Sequence, residues 1–153
     1  MSSPAPIPAI TAGRLLLSLV ALLTSIGCYI ADWNETHVKN PNWPPHARFH
    51  NGQTMSMGLS LGLLTMYFAW RPVLVKEKGI GERQCITIAA VLGSLYYVTG
   101  MSGILYPGAK WLDPEFGEGA PQVRIFVGVA GMAWAGWGLE MRRLAAERKV
   151  KRV

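Results

Sequence analysis

Three histidines, two carboxylates and an arginine fall close together in the stretch DWNETHVKNPNWPPHARFHNGQ at 32–53, as Asp32, Glu35, His37, His46, Arg48 and His50. Proline fixes its own φ and drives the preceding residue out of the helical region, so no helix runs through Asn40-Pro41-Asn42-Trp43-Pro44-Pro45, whereas a helix can begin at Pro45. If it does, His46, His50, Gln53 and Met57 stand at i, i+4, i+7 and i+11 on one face, and the two imidazoles converge. Arg48 and Asn51 then point elsewhere.

Two histidines at that spacing, joined by His37 and the carboxylates from the other side of the turn, have the ligand types of a site for a divalent transition metal. The intervening glutamate of the helical zinc-protease motif is missing. The same groups also suit acid–base catalysis, with His46 or His50 as general base, Asp32 or Glu35 orienting or protonating, and Arg48 stabilising developing negative charge. In a third reading they bond one another and the turn backbone and seal a polar loop. The spacing leaves these three readings open.

The elements that position this stretch are apolar. Half of the 153 residues are hydrophobic and 16% are charged, and the apolar residues fall in blocks at 15–31, 53–70, 85–106 and 125–141. Each block is long enough, at about 1.5 Å per helical residue, to cross about 30 Å of hydrocarbon. A soluble four-helix bundle would carry a polar stripe every three to four residues, and none of the blocks shows one. The expected fold is all-α, an integral membrane four-helix bundle over 14–141, with a flexible lead at 1–13 and a basic tail at 142–153. In the second block the polar side chains are small hydroxyls able to bond back to their own helix. That block also carries Gly58-x-x-x-Gly62, a spacing that lets helices approach closely.

Net charge is +6, and ten of the fifteen basic residues lie at 71–83 and after Met141. Four spans put those segments on one side, which the positive-inside rule makes cytoplasmic, together with both termini; the 32–53 stretch and the loop at 107–122 then face the opposite side. The basic residues read as an orientation signal and a contact for membrane lipids, not as a nucleic-acid surface. No small-x-small cleavage site follows the first block, so it is expected to be retained rather than removed as a signal peptide. Asn34-Glu35-Thr36 fits the glycosylation pattern, but so close to a span end that a modifying enzyme has little room.

Cys28 and Cys85 lie toward opposite faces and are expected to pack rather than pair. Tyr96 and Tyr97 fall mid-block, where a hydroxyl should seek a partner, and Gly100 and Gly103 follow Tyr96 on one face. With Gln53, these tyrosines are the candidate lining of a ligand pocket. The loop PGAKWLDPEFGEGAPQ at 107–122 is short enough to fold over the histidine stretch as a lid. Glu140 precedes Arg143 by three residues, the spacing of an ordinary ion pair.

The run DWNETHxxNPxWPPHARFHNGQ, ending one block and entering the next, resembles the signature of an uncharacterised family of small four-span membrane proteins from fungi and bacteria, some of them labelled acetyltransferase. The resemblance implies that Trp43, Pro45, His46, Arg48, Phe49 and His50 are marker positions, and it implies no reaction. An acetyl-CoA site needs a nest of amides or a basic cradle, which the short 76–83 loop does not offer. Similar small four-span proteins of fungal natural-product pathways are an analogy of architecture.

The expected function is therefore a membrane-embedded enzyme acting on a small lipophilic molecule, in lipid or secondary metabolism, at the non-cytoplasmic end of the bundle. In a eukaryote the endoplasmic reticulum is the expected membrane. The alternative is a non-catalytic membrane protein, such as an assembly partner, chaperone or ligand carrier, with the same stretch as a recognition loop. A channel is disfavoured because the blocks carry no mid-membrane charge.

Overall fold

Three of the four apolar blocks lie in helices that extend past them, whereas the block at 85–106 outruns its helix, which ends at Ser102 and gives way to a 3-10 turn. The computed structural model describes residues 10–75 and 79–150; most of the expected lead, Lys76 and Lys78 of the basic loop, and Lys151 and Arg152 of the tail lie outside the described residues. The helices are α1 (Ala12–Asp32), α2 (Pro45–Leu74), α3 (Glu82–Ser102) and α4 (Pro121–Val150), with two short 3-10 turns after α3 and no strand among the described residues. Thr11 caps α1 by accepting from the Arg14 amide. Pro45 opens α2 in the first turn, as the Pro-Pro sequence requires.

The helices run alternately up and down. Each packs on its neighbours in sequence, α4 closes back on α1, and α1 touches α3 across the middle. One end of the bundle therefore gathers the turn at 33–44 and the segment at 103–120, and the other gathers the α2–α3 connection with the outer ends of α1 and α4.

Small residues set the spacing. A Cβ on Gly62 would lie 2.6 Å from the Ala21 carbonyl oxygen and 2.8 Å from the Ser25 amide nitrogen, and one on Gly58 would lie 2.8 Å from Cys28 Sγ. The Gly58/Gly62 pair is thus the contact face of α2 on α1. Gly13 and Gly136 do the same between α1 and α4, where a Gly13 Cβ would meet the Gly136 carbonyl oxygen at 2.5 Å. The core between them holds Leu17, Val20, Ile86, Ala89, Ala90, Tyr97, Val129 and Ala133.

Hydroxyls along the apolar helices are satisfied locally. Thr24, Ser56, Ser60 and Thr65 donate to the carbonyl four residues back, as expected for hydroxyls on apolar helices. The hydroxyls of Tyr97 and Thr24 meet at 3.1 Å, so one of the two mid-block tyrosines finds its partner within the bundle. Cys28 and Cys85 are buried and unpaired, in line with a packing role.

Two stretches, Ala12–Asp32 and Glu82–Leu105, are long and apolar enough to cross a membrane. Although α2 and α4 are longer, at 30 residues each, they dilute their apolar content with Gly, Ser and Trp and with polar ends, and fall short of that measure. Of the four expected spans, two meet it.

Candidate functional site

The polar end of the bundle splits the predicted cluster in two. Asp32, the last residue of α1, is buried and its Oδ2 accepts from Asn51 Nδ2 at 3.0 Å, while His37 Nε2 lies 3.7 Å from Asp32 Oδ1. His37 is held by the turn that follows α1: its Nδ1 meets Thr36 Oγ1 at 2.7 Å and its ring stands edge-on to Trp43. The other two histidines are elsewhere. His46 and His50 converge on one face of α2 with their Nε2 atoms 2.9 Å apart, as the i, i+4 spacing predicts, but both are exposed and neither reaches Asp32 or His37.

The expected gathering of His37, His46 and His50 around one metal therefore does not form. Among the described residues no group of three or more His, Cys, Asp or Glu side chains could hold an ion. The reason is helical phase. The turn delivers His37 to the inward side of α2, whereas the His46/His50 face looks outward. Arg48 also departs from its expected role, because its Nη2 donates to the Asn40 carbonyl at 2.7 Å and braces the turn. Glu35 is exposed and makes no hydrogen bond or ion pair among the described residues. Conversely Asn51, expected to point away, is buried against Asp32. The Gly58/Gly62 contact face carries the phase that would have found it, since Asn51 lies seven residues, two helical turns, before Gly58.

Asp32, His37 and Asn51 open onto a cavity of about 940 Å³ between the four helices, which is also lined by Gln53, Tyr96 and Tyr97. All three predicted pocket residues are in its wall. Most of the remaining surface is apolar, and the exposed side chains of Leu23, Ile30, Ile104 and Ile125 edge it. Tyr97 gives its hydroxyl to the contact with Thr24; the Tyr96 hydroxyl makes no hydrogen bond among the described residues. Gly100 is filled by the Phe126 ring, 2.8 Å from where its Cβ would be, while the space beside Gly103 is open.

The loop that follows α3 does cover this end. Glu115 accepts from Asn40 Nδ2 at 2.8 Å and from Asn42 Nδ2 at 3.1 Å, and Asp113 accepts from Trp43 Nε1 at 2.9 Å. Ala109, Lys110 and Trp111 join the cavity wall from this loop. Gln122 Nε2 donates to the Trp111 carbonyl at 2.7 Å and anchors the returning chain. The side chain of Asn34, in the glycosylation pattern, is occupied too: it donates to the Ala31 carbonyl at 2.8 Å and accepts from the Thr36 amide at 2.9 Å.

At the opposite end lies a second polar cluster, absent from the sequence expectations except for one pair. Arg14 is fully buried, donates through Nε to the Ala69 carbonyl at 3.1 Å and pairs with Glu82, which also pairs with Arg143. Arg143 in turn binds Glu140 and Glu147, the former being the predicted i, i+3 pair, and Thr11 donates to Glu140. Burial works against the Arg143 charge, but its bond to Glu147 and the charges of Glu82 and Glu140 outweigh it and hold its pKa above the ordinary arginine value. All four helices contribute to this cluster.

A model described as a family of unknown function, DUF6640, matches residues 16–151. The chain belongs to that family. No curated protein and no solved structure matches it. The matched span takes in the whole cavity and every member of the terminal cluster except Thr11 and Arg14.

Proposed function

We propose that this chain is a four-span integral membrane protein with cytoplasmic termini, and that its cavity receives a small lipophilic molecule on which Asp32 and His37 act by proton transfer. The observation that carries the reading is the composition of the cavity wall: an apolar space within the size range of small-molecule sites, with one carboxylate and one imidazole side by side on it. The apolar rim of Leu23, Ile30, Ile104 and Ile125 faces outward from the bundle and suits entry from hydrocarbon rather than from water. The bonded loop of Asp113 and Glu115 closes the end.

Membrane insertion is supported by the outward faces. Leu15, Leu22 and Ile26 on α1, Leu63 and Tyr67 on α2, Val91 and Val98 on α3, and Val127 and Trp134 on α4 are all exposed, which places apolar side chains around the whole circumference.

In the chemistry proposed, the neutral His37 imidazole accepts a proton from the bound molecule and the Asp32 carboxylate stabilises the imidazolium. The same proton then returns at a second position of the molecule. Nothing is oxidised or reduced, so the product is an isomer. Asn51 holds the carboxylate in place through its amide, and Gln53, Tyr96 and Lys110 offer hydrogen bonds to a polar group on the ligand.

Organic extraction of the detergent-purified protein, followed by mass spectrometry, tests both halves. One lipophilic species is expected to be retained by the wild type and lost from Gly103→Trp, which fills the open space beside the cavity. His37→Ala and Asp32→Asn are expected to retain an isomer of equal mass and different chromatographic mobility. No retained species would sink the ligand reading; the same species in all three proteins would sink the proton transfer alone. Release of the protein from membranes by alkaline carbonate would refute insertion.

A further inference from the structure

The outward face of α2 carries a feature that the cavity chemistry does not use. His46 and His50 present their Nε2 atoms to each other at 2.9 Å on an exposed helical turn. Metal–imidazole bonds are about 2.0–2.1 Å long, and two of them at a right angle put their nitrogens about 2.9 Å apart, whereas tetrahedral angles spread them to about 3.3 Å. The observed separation is that of two adjacent corners of a square-planar or octahedral ion.

Three contacts organise the pair before any ion arrives. Phe49 lies parallel to the His46 ring, with centroids 6.0 Å apart and 5° between planes, and edge-on to His50 at 5.4 Å. Gln53 Oε1 lies 3.3 Å from His50 Nδ1. When His50 donates from Nδ1 to this amide oxygen, its Nε2 keeps a free lone pair, the arrangement by which outer groups orient metal-bound imidazoles. The Pro44-Pro45 sequence starts the helix one residue before His46, so the two rings stand on the first two turns, next to a fixed backbone.

The geometry points to a solvent-facing two-histidine site for a divalent ion with right-angle coordination and a preference for nitrogen, of which Cu²⁺ is the best fit and Ni²⁺ the next. Both Nε2 atoms bind the ion, the proton between them passes through solvent to His46 Nδ1 so that both rings stay neutral imidazoles, and water fills the remaining positions. His37 takes no part, since its ring lies on the inward side, in the cavity wall beside Asp32. Gln53 also belongs to the cavity wall, but His46 and His50 do not, so their variants test the metal site without altering the cavity lining.

Titration of the detergent-purified full chain with Cu²⁺, followed by electron paramagnetic resonance, tests it. Nitrogen splitting from two equatorial imidazoles is expected in the wild type and in His37→Ala, and is expected to disappear in His46→Ala and in His50→Ala. Gln53→Ala should weaken binding by about tenfold, the lower end of what loss of an orienting partner costs. Because both histidines are exposed, the helical circular dichroism of the variants should match the wild type, which separates loss of the site from loss of the fold. Unchanged splitting in the His46→Ala/His50→Ala double variant, absence of splitting in the wild type, or its loss in His37→Ala would each overturn the assignment.

Discussion

Replacing Gly62 by alanine adds one methyl group where the structure has no room for it. Of the atoms that this Cβ would meet, Ser25 Oγ at 2.1 Å belongs to a side chain that can rotate, but the Ala21 carbonyl oxygen at 2.6 Å and the Ser25 amide nitrogen at 2.8 Å are backbone. Relief requires α2 to move off α1, which loosens the Gly58–Cys28 contact one turn away. Forcing extra volume into a packed interface costs about 1–3 kcal/mol. At about 2–4 °C per kcal/mol for a chain of this size, the midpoint of thermal unfolding in detergent should fall by about 2–12 °C. Gly52 is the internal control: it lies in the same helix, nothing approaches its Cβ position within 4 Å, and Gly52→Ala should stabilise by about 0.5–1 kcal/mol through helix propensity. Adding Ser25→Ala to Gly62→Ala should recover only part of the loss, because both backbone clashes remain. The measurement is circular dichroism at 222 nm against temperature for the four proteins. Equal midpoints for Gly62→Ala and Gly52→Ala would refute the close approach of α1 and α2.

Other expectations follow from single contacts. Glu140→Gln, which removes a fully buried negative charge that Thr11 and Arg143 bind, should destabilise by about 3–5 kcal/mol, read from the same melts. Tyr97→Phe leaves the Thr24 hydroxyl without its cross-helix partner and should cost about 1 kcal/mol, whereas Tyr96→Phe breaks no hydrogen bond among the described residues and should leave the midpoint unchanged. Replacing Asp113 and Glu115 together by alanine removes the bonds to Trp43, Asn40 and Asn42, so the 106–120 segment should become cleavable by protease in the folded protein while the helices stay resistant; equal cleavage rates would show that the closure does not depend on these carboxylates.

The helices were legible in the sequence because long apolar runs between polar turns admit few other structures, and Pro44-Pro45 marked the start of α2 to the residue. The Gly58/Gly62 spacing and the Glu140–Arg143 pair could be read for the same reason, since each is set by neighbours along one helix, whereas which residue would meet a mid-block tyrosine could not. What could not be read depends on rotation of one helix against another. His46 and His50 sit on one face of α2 as their spacing requires, but nothing in that spacing says whether the face looks in or out. A turn of about 100° from His50 brings Asn51 inward, and the pairing partners of Asp32 follow from that rotation. Arg14 was hidden differently. Ahead of an apolar run it reads as a topological charge, and only the return of α4 to α1 shows that it is buried with Glu82 beside it.

That return sets an order on biosynthesis. A ribosome delivers Arg14 before Glu82 and Arg143 after both, so this charge cluster stays incomplete until α4 has been made. A nascent protein halted after α3 can pair Arg14 with Glu82, but it lacks Glu140 and Arg143 and leaves Gly13 without its seat against Gly136. The cell's quality-control machinery would thus meet, in any truncated product, a guanidinium and a carboxylate uncovered beside a bare strip of small residues. Once α4 is in place, all of these are hidden at once.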